Sequence, residues 1–240
     1  MLNHLWNGHW SGVKPVGDTH MRARKIIAPT GGIIRGKFPS RKNGRMVHYE
    51  GLLERDAILL FEMSPNIVRY REQPSSIRYP DGSRLRKYTP DFELCLITGE
   101  VVLIEIKPAK NLLKEDVNHS LSCIHLFFQR NDQAFQVITD ESIRQEPRLA
   151  NLRWIHKRLP RVPVSKAAGI LALAHSVAEL PCSIQMLNQL LRIRNVDSYS
   201  LLAMGIAQCD LDTCIQATTE INLTKESDDA WFRISKKYDF

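Results

Sequence analysis

The chain has 240 residues, 43% of them hydrophobic, enough for one large domain or two small ones with a buried core. No apolar run is long enough for a membrane span, "VVLIEI" fits a buried strand, and "MLNHLWNGHWSGVKPVG" lacks the charged-then-apolar pattern of a secretory leader. The expectation is a soluble, cytoplasmic protein with no membrane partner, and the 33 Lys and Arg against 26 Asp and Glu, a formal charge of +7, point towards a polyanion.

That charge is uneven. Between Thr19 and Tyr49 lie Arg22, Arg24, Lys25, Arg35, Lys37, Arg41, Lys42 and Arg45, with no acid among them. Such a single-sign run suits a DNA backbone or a flexible solvated arm. "TGG" at 30–32 and "RGKFPSRKNGR" after it read as loop-rich and extended, so residues 1–48 form a basic N-terminal arm.

"YEGLLERDAILLFEM" (49–63) predicts a helix that stops at Ser64-Pro65. At 100° per residue, Glu50, Glu54, Ala57, Ile58 and Phe61 share one stripe, and Leu52, Leu53, Leu59, Leu60 and Met63 cover much of the rest. Arg55 and Glu62 mark a narrow wet edge, and Glu54 falls on a buried or cleft-facing stripe.

"NIVRYREQPSSIRYP" reads as two short strands broken at Pro74, followed by a turn at "PDGSR" (80–84). "KYTPDFELCLI" predicts a strand, "TGE" (98–100) a hairpin turn and "VVLIEIKP" a central strand. A helix over 111–130, a strand over 134–141 and a helix over 147–159 complete an α/β unit with a mixed sheet, residues 49–160. "PRVPVS" (160–165) marks a linker. Beyond it, helical patterns at 165–179, 183–193 and 197–208 precede a small two-stranded ribbon, so residues 161–240 predict a winged-helix-like module. Seven acids against a single Lys225 between 197 and 229 make that module a poor groove-reader and a better protein-docking face.

The five cysteines, Cys95, Cys123, Cys182, Cys209 and Cys214, contain no Cys-x-x-Cys and indicate neither a disulfide framework nor a zinc site. Cys123 and His125, with His119 nearby, read as a buried thiol and ordinary histidines rather than ligands.

The chemistry lies in "YTPDFELCLITGEVVLIEIKP" (88–108). Antiparallel strands joined at 98–100 bring Asp91 beside Glu105, and the two-residue period puts Glu105 and Lys107 on one face. Asp91 and Glu105 can share a hard divalent cation, with the Ile106 carbonyl as a further oxygen ligand and Glu54 completing the shell. Lys107 stands where it can orient or deprotonate an attacking water, or offset charge on a phosphate. The bland alternative is a surface Asp91 and a solvent-facing Glu105–Lys107 pair, which fits poorly with so apolar a strand. Arg84, Arg86 and Lys87 read as phosphate contacts or a solvated turn. Gln73 serves either to place a phosphate or water, or to fix the bend before the hairpin. Trp231 and Phe232 read as core of the small module.

In order and spacing, Leu53-Glu54-Arg55-Asp56, Arg71-Glu72-Gln73-Pro74, Pro90-Asp91 and Glu105-Ile106-Lys107 resemble the TnsA family, the endonuclease subunits of heteromeric cut-and-paste transposases. The resemblance covers residues 20–160 well and the C-terminal module loosely. It implies a restriction-endonuclease-like PD-(D/E)xK core using Mg2+ or Mn2+, with Glu54, Asp91, Glu105 and Lys107 as the catalytic set. Some members of the family carry glutamine at the position of Glu105. The family register favours Glu54 over Glu50, one turn earlier. The resemblance also implies cleavage of the 5′ ends of a transposon in double-stranded DNA, beside a TnsB-type transposase and a TnsC-type AAA+ ATPase. The short chain and its "KFPSRKNGRMVHYEG" lead-in resemble members from transposons that carry CRISPR targeting complexes. DNA contacts are expected from Arg35, Lys37, Arg41, Lys42, Arg45, Gln73, Arg84, Arg86 and Lys87. The alternatives are a stand-alone restriction or repair nuclease and a non-catalytic DNA-binding adaptor, which would have no need of four intact site residues.

Overall fold

The computed structural model describes residues 20–23, 34–176, 179–224 and 232–240. Arg24, Lys25, the 30–32 turn, Lys225, Glu226, Asp228, Asp229 and Trp231 lie outside them. The described residues divide into two compact units, one of residues 20–58 and 67–144, the other of 59–66 and 145–240.

The first unit opens with a hairpin, β1 (Gly36–Ser40) against β2 (Arg45–Tyr49), where an extended arm was expected. Its turn ends on Asn43-Gly44, with Gly44 in the left-handed region (φ +59°) and the Asn43 N–H donating to the Ser40 hydroxyl. Asn-Gly is a strong hairpin signal, masked here by the surrounding charges.

Helix α1 (Leu52–Met63) ends before Ser64-Pro65 as expected. Ala57, Ile58 and Phe61 are fully buried, but so, nearly, is Glu62 at 5% exposure. The wet edge is therefore narrower than the helical wheel implied. Asp56 is also buried and accepts from Arg55 at 3.0 Å and Arg144 at 2.9 Å, which compensates its charge.

The main sheet has four strands in the order β3 (Ile67–Glu72), β6 (Phe92–Leu96), β7 (Val101–Lys107), β8 (Ala134–Thr139). The β3–β6 and β6–β7 pairs are antiparallel and β7–β8 is parallel, a mixed sheet. In β7, Val102 through Ile106 are all buried, as a strand with neighbours on both sides requires. Gly99 (φ +87°) makes the β6–β7 turn. Between β3 and β6 a separate hairpin, β4 (Ile77–Asp81) and β5 (Arg84–Tyr88), takes the place of one long strand through Pro90.

The helix expected over 111–130 divides into α2 (Ala109–Leu112) and α3 (Glu115–Arg130), with Glu115 and Asp116 in the first turn of α3, where acids suit the helix dipole. Ile124 and Phe128 of α3 pack with Tyr79, Leu103 and Phe135 in an aromatic-rich core. A one-turn α4 (Asp140–Ile143) follows β8, and Asp140 accepts from the Ala109 N–H at 2.7 Å, tying the end of β7 to the end of β8.

In the second unit, α5 (Arg148–His156) precedes α6 (Lys166–Ala174), β9 (Cys182–Ser183), α7 (Ile184–Leu191), α8 (Ser198–Ala203), β10 (Ala207–Gln208) and β11 (Glu220–Leu223). Ser165, Ser183 and Asp197 cap α6, α7 and α8 by accepting from N–H groups in their first turns. The strands form a three-stranded sheet, β10–β11–β9, rather than a two-stranded ribbon, because Cys182–Ser183 pairs with β11. The units divide ahead of α5 rather than at the 160–165 linker. Asn151 of α5 explains why: its amide donates to the Leu211 and Thr213 carbonyls and accepts from the Ile215 N–H. Phe232 is buried, as core. Among the described residues, no helix is long and apolar enough to cross a membrane, and all five cysteines are free.

Candidate active site

The register Phe92↔Ile104 sets Asp91, just ahead of β6, beside the C-terminal end of β7. There Asp91 Oδ2 accepts from the Ile106 N–H at 2.7 Å. Glu105 and Lys107 share a face, with Lys107 Nζ 2.5 Å from Glu105 Oε1. Glu54, in the first turn of α1, folds back to accept from the Glu50 N–H at 2.8 Å.

These groups line one cavity of about 510 Å3 with Glu50, Gln73, Lys87 and Tyr88. The structure thus brings together all four residues of the expected catalytic set. Glu50 is there too, so the cavity holds four carboxylates against two lysines.

The electrostatics follow from that crowding. Burial, and then the neighbouring Glu105 and Glu54 charges, hold the Asp91 carboxyl well above its ordinary range, only partly offset by the Ile106 N–H and Lys107. Burial pulls the Lys107 ammonium down, but Glu105, Asp91 and Glu54 outweigh it and leave it raised. An excess of close oxygen donors is the donor chemistry of Mg2+ or Mn2+, so the residues fit a hard divalent cation. Glu54, Asp91 and Glu105 could hold it.

Tyr88 was missed in the sequence. Its hydroxyl donates to Glu105 Oε2 at 2.6 Å, and its ring makes edge contacts with Tyr79, Phe128 and Phe135. Burial and the Glu105 charge push its phenol far up, so it stays a neutral donor. A tyrosine before Thr-Pro-Asp carries no signal of this until β5 is seen as a strand separate from β6.

Gln73 lies at the rim of the same chemistry. It adopts a left-handed backbone (φ +45°), is 8% exposed, and donates its N–H to the Asp91 carbonyl at 2.8 Å. Its side-chain Oε1 is buried with no partner among the described residues. It also borders a void of about 10 Å3, space for about one water, shared with Glu50, Glu54 and Asp91.

The basic residues separate into two groups. Arg45 makes a bidentate pair with buried Glu72 at 2.9 and 2.7 Å, Lys42 donates to the Ile67 carbonyl at 2.6 Å, and Arg86 pairs with Asp81 at 2.5 Å. Arg45 and Lys42 are committed to internal partners, since a buried carboxylate or carbonyl needs a donor more than a distant phosphate does, whereas Arg86 is exposed beside its partner. Lys37, Arg84 and Lys87 are exposed, while Arg35 and Arg41 are half-buried.

Residues 64–140, about a third of the chain, match the family model described as TnsA-like endonuclease N terminal. This segment is similar to TnsA-like endonuclease domains. No curated protein matches the chain. The matched segment carries Gln73, Asp91, Glu105 and Lys107 but stops short of Glu54, which lines the same cavity from α1.

Proposed function

We propose that the chain is the metal-dependent endonuclease subunit of a cut-and-paste transposase, cutting the 5′ ends of its element in double-stranded DNA. The observation that carries this is the convergence of Asp91, Glu105 and Lys107 on one cavity inside the TnsA-like domain, with Glu54 from α1 beside them. Glu54, Asp91 and Glu105, with the Ile106 carbonyl, would hold Mg2+ or Mn2+, which when bound supplies Lewis-acid polarisation of the phosphate and a more acidic water.

The chain's own residues do the rest. The Glu105, Asp91 and Glu54 charges favour the Lys107 ammonium in the metal-free site, and Lys107, held by Glu105, would orient or activate the attacking water or offset charge on the phosphate. Tyr88 and Lys107 fix both oxygens of Glu105, and Gln73 offers a buried carbonyl oxygen to a water or a substrate group. Arg84 and Lys87, exposed on β5, would meet phosphates, and Lys37 and Arg41 are further candidate contacts.

The second unit supports dependence on partners. Its two helices, strand, two helices and two strands in chain order suit a winged-helix-like module, and its acids favour protein docking over groove reading. A TnsB-type transposase and a TnsC-type ATPase are the partners that this reading assigns. A transposon carrying a CRISPR targeting complex is the setting it favours.

The test is strand-resolved cleavage of an end-labelled transposon-end duplex, with the partner transposase and Mg2+ present. The reading requires a 5′-strand cut that depends on Glu105. A cut that survives Glu105→Ala refutes the site.

A further inference from the structure

We propose that Asp81, His119 and Cys123 form a second cation site, for a thiophilic divalent ion of the Zn2+ type, on the outer side of the endonuclease unit. Three observations carry it. The first is convergence: His119 and Cys123 stand four residues apart on α3, on one face, and Asp81 closes β4 beside them. His119 Nε2 lies 2.8 Å from Asp81 Oδ1 and 3.7 Å from Cys123 Sγ, and one donor atom from each residue lies within 4.8 Å of the others. Ligand atoms around a tetrahedral zinc stand roughly 3.3–3.7 Å apart, as bond lengths of about 2.0–2.3 Å require. Small side-chain rotations would bring the three to those separations.

The second observation is orientation. Arg86 Nε holds the other carboxylate oxygen, Asp81 Oδ2, at 2.5 Å, leaving Oδ1 to ligate alone. A ligand fixed by a neighbour of this kind is what tunes metal sites from outside. His119 is 62% exposed, which leaves an entry path and a fourth position for water.

The third is donor chemistry. Sulfur and imidazole select Zn2+ and its transition-metal neighbours, whereas the cleft around Asp91 offers only oxygen and suits Mg2+. The two sites would therefore not compete for one ion. Binding at Nε2 requires the neutral ring to carry its proton on Nδ1, so the proton bridging His119 and Asp81 moves to the other ring nitrogen, and the thiol proton of Cys123 leaves to solvent. From the sequence, Cys123, His125 and the nearby His119 read as a buried thiol and ordinary histidines; the third member, Asp81, arrives only when β4 is laid against α3. His125 takes no part; its ring lies 6.3 Å from that of Phe135. The consequence is mechanical: a bound ion would pin the β4–β5 hairpin, with Arg84 and Lys87 on it, to α3.

Cobalt titration of the full-length chain tests this, because a thiolate ligand gives Co2+ a near-ultraviolet charge-transfer absorption that oxygen ligands do not. The wild type should show a saturable one-to-one band that Zn2+ displaces. It should vanish in Cys123→Ser, weaken by about tenfold or more in His119→Ala and Asp81→Asn, and persist in Cys214→Ser, the exposed competing thiol. Circular dichroism confirms that each variant is folded. A wild type without a saturable band, or a band that survives Cys123→Ser, overturns the site and leaves an ion pair of His119, Asp81 and Arg86.

Discussion

The Tyr88 hydroxyl donates to Oε2 of Glu105 at 2.6 Å, from a ring set edge-on among Tyr79, Phe128 and Phe135. The core beneath α3 thus reaches directly to the acid of Glu-x-Lys. Lys107 holds the other oxygen, so the carboxylate is fixed from two sides before any substrate arrives. Tyr88→Phe keeps the ring and removes the donor. We predict a loss of about 1–2 kcal/mol of stability and roughly tenfold slower cleavage, read by thermal melting and by rates on a labelled transposon end. Unchanged rates would confine Tyr88 to packing.

Asp91 links stability to pH. A carboxyl whose native pKa is raised binds more protons folded than unfolded. Its contribution therefore declines as pH climbs from the unfolded value near 3.8 up through the raised native value. Within that window the metal-free wild type should lose about 1.4 kcal/mol per pH unit relative to Asp91→Asn. Added Mg2+ should reverse the loss in the wild type only. Melting curves across pH, with and without Mg2+, read both effects. Parallel pH profiles for the two proteins would contradict the crowding of Asp91 by Glu105 and Glu54.

Arg45 separates structural from DNA-binding basic residues. Its bidentate partner Glu72 is 3% exposed, so Arg45→Met strands a buried charge. The expected cost is about 3 kcal/mol in denaturant unfolding. Lys87→Ala, at an exposed position, should leave stability unchanged and reduce the salt dependence of DNA binding by about one ion. A stable Arg45→Met that binds DNA poorly would return Arg45 to the interface.

Gln73 combines a left-handed backbone with a buried, partnerless oxygen. Glycine suits that backbone and removes that oxygen. Gln73→Gly should therefore melt at or above the wild-type temperature while cutting at least tenfold more slowly. A variant that is both stable and fully active would leave Gln73 as the bend before the β4–β5 hairpin and nothing more.

Much of this was legible in the sequence because single residues decide it. Gly99 made the β6–β7 turn readable, the aliphatic run from Val101 to Ile106 made β7 a central strand, and the period of two then put Glu105 beside Lys107. What stayed hidden depends on partners distant in sequence. Glu62 looked solvent-facing by helical angle, yet packing buries it. Arg45 looked like a phosphate contact until buried Glu72 was in place. Tyr88 looked like one residue of a long strand until the break at Thr89-Pro90 let its hydroxyl donate to Glu105.

The central claim is that this chain makes the second cut of a cut-and-paste element through Asp91. Long-read sequencing of insertion products from a reconstituted transposition system, wild type against Asp91→Ala, tests it most directly. The account predicts simple insertions for the wild type and donor-containing cointegrates for the variant. Simple insertions from both would contradict it.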